Sequence, residues 1–482
     1  MTTTALAWIT LLVYFGVTGG LALRAARRSS SVATYAVGTR AIPAWVIGLS
    51  LAAQLTSVAT FVVNPGLVYA YGLSALVGYG VAAGLGLTLG LIVLSRRFLS
   101  HGTRVAALTV PQWIGSRFQS PGLRLAFAVL SLGLVTFATL IVVGISLVWG
   151  PLLGLSPQVT AVGLLAVVAT GVMVGGATGH AWVNAAQAMV MLAAAVIMLG
   201  SGASAVIDGS LLARVAAIDP ALVHVPNAAS PLFRSWFEVF VCNFVVGVAL
   251  VCQPHVMSKV LFLKSERDVR AYLTTAVLCG LVFTSLLVTG LYARLELTDL
   301  VRIDRAIPTW MAATFSPPVQ VFLAAGVLCA GLSTLEGILL ALSSIISVDV
   351  YPRFTMQASD RMALRLGRGA VATLAVVTAG LAIWQIDHPT GGTVALFAQY
   401  GVYLLFSASF VPMAAGMFLP AVSTRTITLS VVIAITVYLG LSIGRVSMYS
   451  NNPGVLAAAA ILAACILVAV SEGFRSRATA AR

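Results

Sequence analysis

The sequence has few charged residues, which make up only 8% of its 482 positions. A soluble domain carries about 25% charged residues, so this composition excludes an ordinary soluble protein. The five cysteines lie within or at the ends of apolar runs without CxxC spacing, which argues against a disulfide framework or a cysteine metal site. The five histidines are scattered and no HExxH motif occurs, so neither an intramembrane metalloprotease nor another membrane enzyme is predicted.

Apolar runs of about 20 residues recur along the whole chain, which is 60% hydrophobic. This pattern is typical of a polytopic all-α membrane protein, and the short alternating segments of a porin are missing. We predict one transmembrane domain over residues 1–482 with thirteen spans and no separate soluble domain. The predicted spans cover residues 5–24, 42–71, 73–96, 123–148, 157–176, 181–204, 235–260, 271–294, 318–347, 367–387, 391–418, 425–444 and 453–472.

The basic residues indicate how the chain is oriented in the membrane. No basic region precedes the first apolar run, and Arg24, Arg27 and Arg28 follow it, as expected for a span that starts outside and not for a cleaved signal. With this start, 21 of the 27 Lys and Arg residues fall inside, so the net charge of +14 marks orientation and not nucleic-acid binding. The lack of an N-x-[ST] acceptor fits a bacterial plasma membrane, with the C-terminus in the cytoplasm. The six outside residues are Arg214, Arg234, Arg294, Arg302, Arg305 and Arg445.

The ninth span carries a polar stripe within the apolar stretch from Ala330 to Arg353. At helical spacing its hydroxyl residues and a single carboxylate, Glu336, share one face. A charge inside a membrane span usually faces a bundle interior or a wet cavity, and an oxygen-rich face suits a hard cation such as sodium. Alternatively, the hydroxyls bond to their own helix and Glu336 pairs with a neighbour. The hydroxyl residues are Ser333, Thr334, Ser343, Ser344 and Ser347.

Two spans contain signals for an interrupted helix. Span 2 has Asn64-Pro65-Gly66 after a polar patch, and span 7 has Gln253-Pro254-His255. Freed backbone groups are tolerated in a membrane only against protein or water. If spans 2–6 and 7–11 form two inverted repeats, these two spans are the corresponding first helices, and paired interruptions at corresponding positions indicate a transporter binding site. The alternative is that both prolines merely kink their helices.

Four segments in this order resemble the sodium:solute symporter family, which transports sugars, proline, pantothenate, sialic acid and monocarboxylates. They are SLAAQLTSVATFVVNPGLVYAYG (50–72), GGATGHAWVNAAQAMVML (175–192), CQPHVMSKVLFLKSERDVRAY (252–272) and the ninth span, with Ser333-Thr334 and Asp349-Val350-Tyr351. The resemblance implies the inverted-repeat fold of the leucine transporter, with one leading and two trailing helices. It also implies sodium-coupled symport of a small organic solute.

The resemblance further implies a sodium site between spans 2 and 9. Its ligands are the backbone carbonyls of Ala53, Thr56 and Ala330 and the hydroxyls of Ser333 and Thr334. One departure is Asn184, where family members with a second sodium have an aspartate. We hypothesise that Glu336 replaces this charge near the sodium pathway, or that it couples a proton. A further departure, Leu55 in place of the aspartate of proline transporters, argues against proline.

The solute is expected at the membrane midplane, near the helix breaks. No Lys or Arg is predicted mid-membrane, so a neutral, zwitterionic or monocarboxylate solute is favoured over a dicarboxylate. For Gln399 and Tyr400 the alternative is interhelical hydrogen bonding, and for His255 it is a solvated side chain at the cytoplasmic end. The candidate solute residues are Gln54, Ser57, Phe61, His255, Gln399 and Tyr400.

The sequence therefore predicts a sodium-coupled symporter whose partners are sodium, a small organic solute and the lipid bilayer. A proton-coupled symporter that uses Glu336 is the first alternative. A solute sensor on the same fold, which binds without transporting, is the second. The identity of the solute, the sodium stoichiometry and the oligomeric state do not follow from the sequence.

Overall fold

The computed structural model describes residues 2–26, 32–37, 41–297, 302–353, 359–444 and 448–480. Within these ranges the chain folds into helices and forms no β-strand. Arg27, Arg28 and Arg445, which enter the orientation argument, lie outside the described residues.

In the described part of the chain, thirteen helices are long and apolar enough to cross a membrane when each of two bent helix pairs counts as one crossing. Each crossing coincides with a predicted span, so the all-α fold and its thirteen spans are confirmed. The crossings are α1 (Thr3–Leu21), α2 (Ala44–Leu55 and Ala59–Tyr71), α3 (Leu73–Arg104), α4 (Pro121–Leu153), α5 (Pro157–Val174), α6 (Gly179–Gly200), α7 (Phe237–Leu250 and Pro254–Phe262), α8 (Asp268–Glu296), α9 (Pro317–Arg353), α10 (Asp360–Asp387), α11 (Val394–Phe418), α12 (Thr424–Gly444) and α13 (Pro453–Gly473).

The two bent helices are the first members of the predicted repeats, α2–α6 and α7–α11. The arms of α2 meet at 52° and those of α7 at 53°. This agreement between corresponding helices supports the inverted-repeat arrangement. In α7 the break precedes Pro254, where it was predicted, because proline has no N–H to continue the first arm.

The break in α2 lies eight residues before the predicted position. The helix stops after Leu55, and Thr56 has a non-helical backbone with φ −94° and ψ 81°. The proline does not interrupt the second arm, because a π-helical stretch, Ala59–Val63, continues directly into an α-helical segment, Asn64–Tyr71, of which Pro65 is the second residue. The prediction that Asn64-Pro65-Gly66 is the break was therefore wrong.

Contacts between side chains show the directions of the helices. At the start of α5, Gln158 donates to Asp387 at the end of α10, whereas Arg368 near the start of α10 donates to Met173 near the end of α5. Helices α5 and α10 are therefore antiparallel. We call the side on which α1 begins the N side, and the thirteenth crossing ends on the opposite side.

Helix α9 lies at the centre of this bundle. In the most apolar stretch of α9, 89% of the residues are buried inside the protein. In the corresponding stretch of α1, at the periphery, 11% are buried. A helix surrounded by protein can carry polar groups that lipid would not accommodate. The polar stripe of α9 is therefore available for a binding site inside the protein.

Candidate functional site

Two hydroxyls of α9 reach across to the broken end of α2. The Ser333 Oγ donates to the Ala53 carbonyl at 2.9 Å and the Ala330 carbonyl at 3.0 Å. The Thr334 Oγ1 donates to the Ala330 carbonyl at 3.2 Å and to the Gln54 carbonyl at 2.9 Å. Four of the predicted sodium ligands therefore come together, and the Gln54 carbonyl is an oxygen that the prediction missed.

Local structure explains why these oxygens converge. The last carbonyls of a helix have no partner within that helix, and the end of the first arm of α2 exposes them to α9. Glycine allows the close approach, since a Cβ on Gly331 would lie 2.8 Å from the Val58 Cγ2. The fifth predicted ligand, Thr56, is 4% exposed and lies at the break itself. This is a buried set of neutral oxygens suited to a hard monovalent cation.

The other serines of α9 behave differently. The Ser343 hydroxyl donates to the Leu340 carbonyl and the Ser347 hydroxyl to the Ser343 carbonyl, both within α9. Ser343 follows the alternative interpretation, that it satisfies its own helix. Ser347 also donates to the Ala363 carbonyl of α10 at 2.9 Å, and the Ser344 hydroxyl is buried without a hydrogen-bond partner. Among the described hydroxyl residues of this stripe, only Ser333 and Thr334 hydrogen-bond to the end of the first arm of α2.

A central cavity of about 530 Å³ lies beside the predicted sodium ligands. Thr56 is one of these ligands and also lines the cavity. This volume is typical of a small-molecule site. Two predicted solute residues, Ser57 and Gln399, line the cavity, and the Gln399 amide donates to the Tyr79 hydroxyl at 3.0 Å. Among the described residues, no charged side chain lines the cavity.

The N-terminus of α11, which carries Gln399, is held by a carboxylate outside the membrane spans. Asp304 accepts hydrogen bonds from the Thr393 hydroxyl at 2.5 Å and from the Val394 amide at 3.1 Å. Burial raises the pKa of this Asp304 carboxyl. The arrangement caps α11 and thereby positions Gln399.

The remaining predicted solute residues lie outside the central cavity. Phe61 is fully buried and packs on Phe283, with ring centroids 6.2 Å apart. The Tyr400 hydroxyl donates to the Asn451 carbonyl, an interhelical bond of the kind proposed as its alternative. Gln54 donates to the His255 carbonyl at 3.1 Å, and both side chains line a separate cavity of about 20 Å³.

His255 and Lys259 are buried, contrary to the sequence analysis. His255 is 2% exposed, so it is not the solvated histidine of the alternative interpretation. The sequence analysis counts Lys259 among the inside basic residues, at the end of the seventh span, yet it is 2% exposed, and its Nζ lies 2.5 Å from the Ser50 Oγ on α2. The bend in α7 is the reason, because it turns the second arm inward against the first arm of α2.

Glu336 is joined to the sodium-site region by two side chains of α6. The Glu336 Oε2 lies 3.4 Å from the His180 Nδ1, and the other ring nitrogen of His180 lies 3.3 Å from the Asn184 Nδ2. Asn184 also donates to the Ser333 carbonyl at 3.3 Å, while its Oδ1 is buried without a partner. Glu336 therefore has the neighbour that the alternative interpretation expected, and it does not contact Ser333 directly.

Sequence reasoning missed His180, Lys259, Gln253 and the cavity residue Tyr79. Two of them left a usable signal. His180 lies four residues before Asn184 in the same segment, so both share one helix face. Gln253 stands at the proline break of α7. Tyr79 lies in an apolar run and Lys259 in a segment rich in basic residues. Neither pattern indicates a buried site residue, so the places of these two side chains are known only from the packing of the helices.

The chain matches the family model described as Sodium:solute symporter family over residues 35–449. It is similar to the sodium/pantothenate symporter of Haemophilus influenzae, with 27% identity over 328 residues that cover 66% of each protein. It is also similar to the high-affinity proline transporter PutP of Bacillus subtilis, with 25% identity over 409 residues that cover 80% of this chain and 81% of that protein.

Solved structures show the same fold. A substrate-bound, outward-open Na⁺-coupled sialic acid symporter has a TM-score of 0.78 at 16% identity, covering 96% of this chain and 98% of that one. Mhp1, a nucleobase-cation-symport-1 family transporter, has a TM-score of 0.56 at 16% identity, covering 92% and 94%. Together with the family match, these findings assign transport and not catalysis, with Na⁺ as the coupling ion. The chain belongs to the sodium:solute symporter family, and it is a multi-pass membrane transporter that couples sodium to a small organic solute.

Proposed function

We propose that sodium binds where the break in α2 meets α9 and drives uptake of a solute held in the central cavity. The observation that carries the proposal is the pair of bonds from the Ser333 hydroxyl to Ala53 and Ala330, which gathers oxygens from both helices. We assign the ligands to the carbonyls of Ala53, Thr56 and Ala330 and the hydroxyls of Ser333 and Thr334.

Coupling follows from the shared break in α2. Thr56 is a proposed sodium ligand and also lines the cavity, and the next residue, Ser57, lines the cavity too. Sodium at the break fixes the backbone of both residues and so prepares the solute site. Solute in turn holds the break in the form that binds sodium, because the coupling free energy between two sites is reciprocal.

The uncharged lining indicates which solutes fit. A dianion would have no basic partner among the described lining residues. A neutral, zwitterionic or monocarboxylate solute fits, since one carboxylate can face the bound sodium. We place Ser57 and Gln399 in direct contact with the solute. We give Gln54, Phe61, His255 and Tyr400 supporting positions, because they lie outside the cavity.

A series of side-chain contacts leads from Glu336 through His180 and Asn184 to the Ser333 carbonyl. These contacts support a role for Glu336 and Asn184 in ion coupling. We assign Glu336 and Asn184 to coupling, where the Glu336 charge tunes sodium affinity. Proton-coupled transport through Glu336 remains the alternative, and the buried, unpartnered Asn184 Oδ1 is a place where a cation or a water can bind.

We orient the protein with its N side outside a bacterial plasma membrane and its C-terminus in the cytoplasm. Sodium then moves inward down its gradient and carries solute with it. The membrane potential contributes ~2.3 kcal/mol per charge per 100 mV.

The test is thermal melting of detergent-purified protein in sodium and in choline at matched ionic strength. Sodium should raise the melting temperature by mass action. One solute class from a panel of sugars, amino acids, monocarboxylates and vitamins should raise it further only when sodium is present. Ser333→Ala should increase the half-effective sodium concentration at least ten-fold, which corresponds to ~1.4 kcal/mol.

Ser146→Ala is the matched control, since the fully buried Ser146 on α4 donates to the Val142 carbonyl of its own helix. This variant should keep the wild-type sodium response. The proposed site would be overturned if Ser333→Ala and Ser146→Ala raised the half-effective sodium concentration equally. It would also be overturned if sodium did not raise the melting temperature of the wild-type protein.

A further inference from the structure

The central cavity has a second end that faces lipid. Ser57 and Gln399 line it near the helix break, while Val81 and Leu85 on α3 and Leu281 on α8 line it at the other end. These three apolar side chains are 47%, 53% and 63% exposed on the bundle surface. One continuous cavity therefore runs from the centre of the protein to its membrane-facing surface between α3 and α8.

Missing side chains create this lateral opening. Gly80 and Gly84 on α3 and Gly280 on α8 all line the cavity. A Cβ on Gly280 would meet no atom within 4 Å, and one on Gly84 would meet only the Thr284 Cγ2 at 3.8 Å. The wall between α3 and α8 is thus thin at the level of the cavity, and the space there is unfilled.

The two ends of the cavity differ in chemistry. At the central end Gln253 is 2% exposed, and its Oε1 is buried without a hydrogen-bond partner. A buried acceptor of this kind requires a donor, which a water molecule in the cavity or an N–H or O–H group of a bound ligand supplies. At the lateral end the lining is aliphatic and adjoins lipid.

We infer that the solute is amphipathic: its hydrogen-bond-donating head lies beside Gln253 and Gln399, and its hydrocarbon part lies in the lateral opening between α3 and α8. This inference rests on the proposed function, because it names the solute class of the same cavity. A hydrocarbon part gains from the aliphatic lining and from lipid beyond it. A solute that partitions into the bilayer can also reach the cavity through the opening.

The opening is tested by labelling a cysteine placed inside the cavity. Thr60, which lines the cavity, is changed to cysteine after Cys242, Cys252, Cys279, Cys329 and Cys465 are replaced by alanine. The protein is placed in lipid nanodiscs and treated with a maleimide carrying a dodecyl chain or with one carrying a sulfonate. We expect the dodecyl reagent to label the cysteine, and Gly280→Leu to slow this labelling at least five-fold.

The rate at which the sulfonated reagent labels the cysteine should change less than two-fold in the Gly280→Leu variant, because this reagent reaches the cavity from water. Gly440→Leu on α12 is the matched control, since a Cβ there also meets nothing within 4 Å but the residue lies outside the cavity lining. If Gly280→Leu slows both reagents equally, or leaves dodecyl labelling unchanged, the lateral opening is refuted.

The solute class is tested by protection of the same cysteine from the sulfonated maleimide. In sodium, n-alkyl amides from acetamide to octanamide should protect, with at least three-fold lower half-effective concentration for each two added carbons. Gly280→Leu should abolish this gain for the longer amides, and a protection that is independent of chain length overturns the inference. Sodium-dependent melting of the same variants separates the two proposals, since it tests the sodium site and does not depend on the opening.

Discussion

At the residue scale, neighbouring hydroxyls on one helix have different roles because they contact different helices. Ser333 and Thr334 bond to carbonyls of α2, whereas Ser343 bonds to its own helix. All of them have the same spacing pattern in the sequence, so the pattern located the polar face but not the site within it. The hydroxyls that lie opposite the break in α2 hydrogen-bond to the carbonyls that this break leaves without a partner in their own helix.

Glu336 is the residue at which sodium and proton effects can be separated. Its carboxylate is 18% exposed and contacts His180, and further titratable groups that interact with it are Lys259 on α7, Tyr14 on α1 and Cys329 on α9. In Glu336→Gln, a lost unit charge near the sodium site should weaken sodium binding by ~1–2 kcal/mol at an effective dielectric constant of about 20. The half-effective sodium concentration in melting assays should rise about five- to thirty-fold.

If a proton on Glu336 competes with sodium, the dependence of sodium affinity on pH should be smaller in the same variant than in the wild-type protein, because the carboxylate that binds the proton is gone. Asp208→Asn is a suitable control, since Asp208 is an exposed carboxylate on the N side. If Glu336→Gln binds sodium like the wild-type protein at every pH, Glu336 has no coupling role.

At the element scale, glycines hold α3 and α7 close together beside the cavity. A Cβ on Gly86 would lie 2.2 Å from the Phe244 carbonyl oxygen, and a Cβ on Gly247 would lie 2.3 Å from the Ala83 carbonyl oxygen. Small residues permit such contact between membrane helices. Backbone oxygens cannot rotate away as side chains can, so this crossing tolerates only glycine.

Gly86→Ala should therefore lower the melting temperature by several degrees, as expected for overpacking of ~1–3 kcal/mol. Gly369→Ala on α10, where a Cβ meets no atom within 4 Å, should be neutral or slightly stabilising. Differential scanning fluorimetry of both variants checks this, and equal melting temperatures would show that the α3–α7 crossing is not tightly packed.

The helix breaks show how far sequence reasoning reaches. The thirteen spans and the bend before Pro254 follow from apolar periodicity and proline chemistry. The predicted position of the bend in α2 is wrong, because Pro65 lies in continuous helical backbone and Gly66 serves a different purpose. A Cβ on Gly66 would lie 2.6 Å from the Ile303 carbonyl, so this glycine allows a loop to approach. Contacts between residues so far apart in sequence cannot be derived from local pattern.

At the scale of the whole molecule, an ion pair joins α4 to α9 on the side opposite the N side, with the Asp349 side chain buried and the Arg124 side chain 31% exposed. Arg124 at the start of α4 donates to Asp349 at the end of α9 at 2.6 Å, and the Thr109 hydroxyl donates to the other carboxylate oxygen at 2.6 Å. Nearby, between Gln54 and Lys259, the protein leaves only about 20 Å³ of free space. A route for sodium to this side therefore requires the helices to separate, as alternating access demands.

The direction of transport depends on which side of the membrane the N side faces. The excess of Lys and Arg on the opposite side predicts that this side is cytoplasmic. In a cysteine-free background, Asp208→Cys on the N side should react with an impermeant maleimide in intact cells. Lys264→Cys, in the exposed segment between α7 and α8, should react only after the membrane is permeabilised. The reverse pattern would place the side with the Arg124–Asp349 ion pair outside. External sodium would then reach the break in α2 only after Arg124 and Asp349 separate.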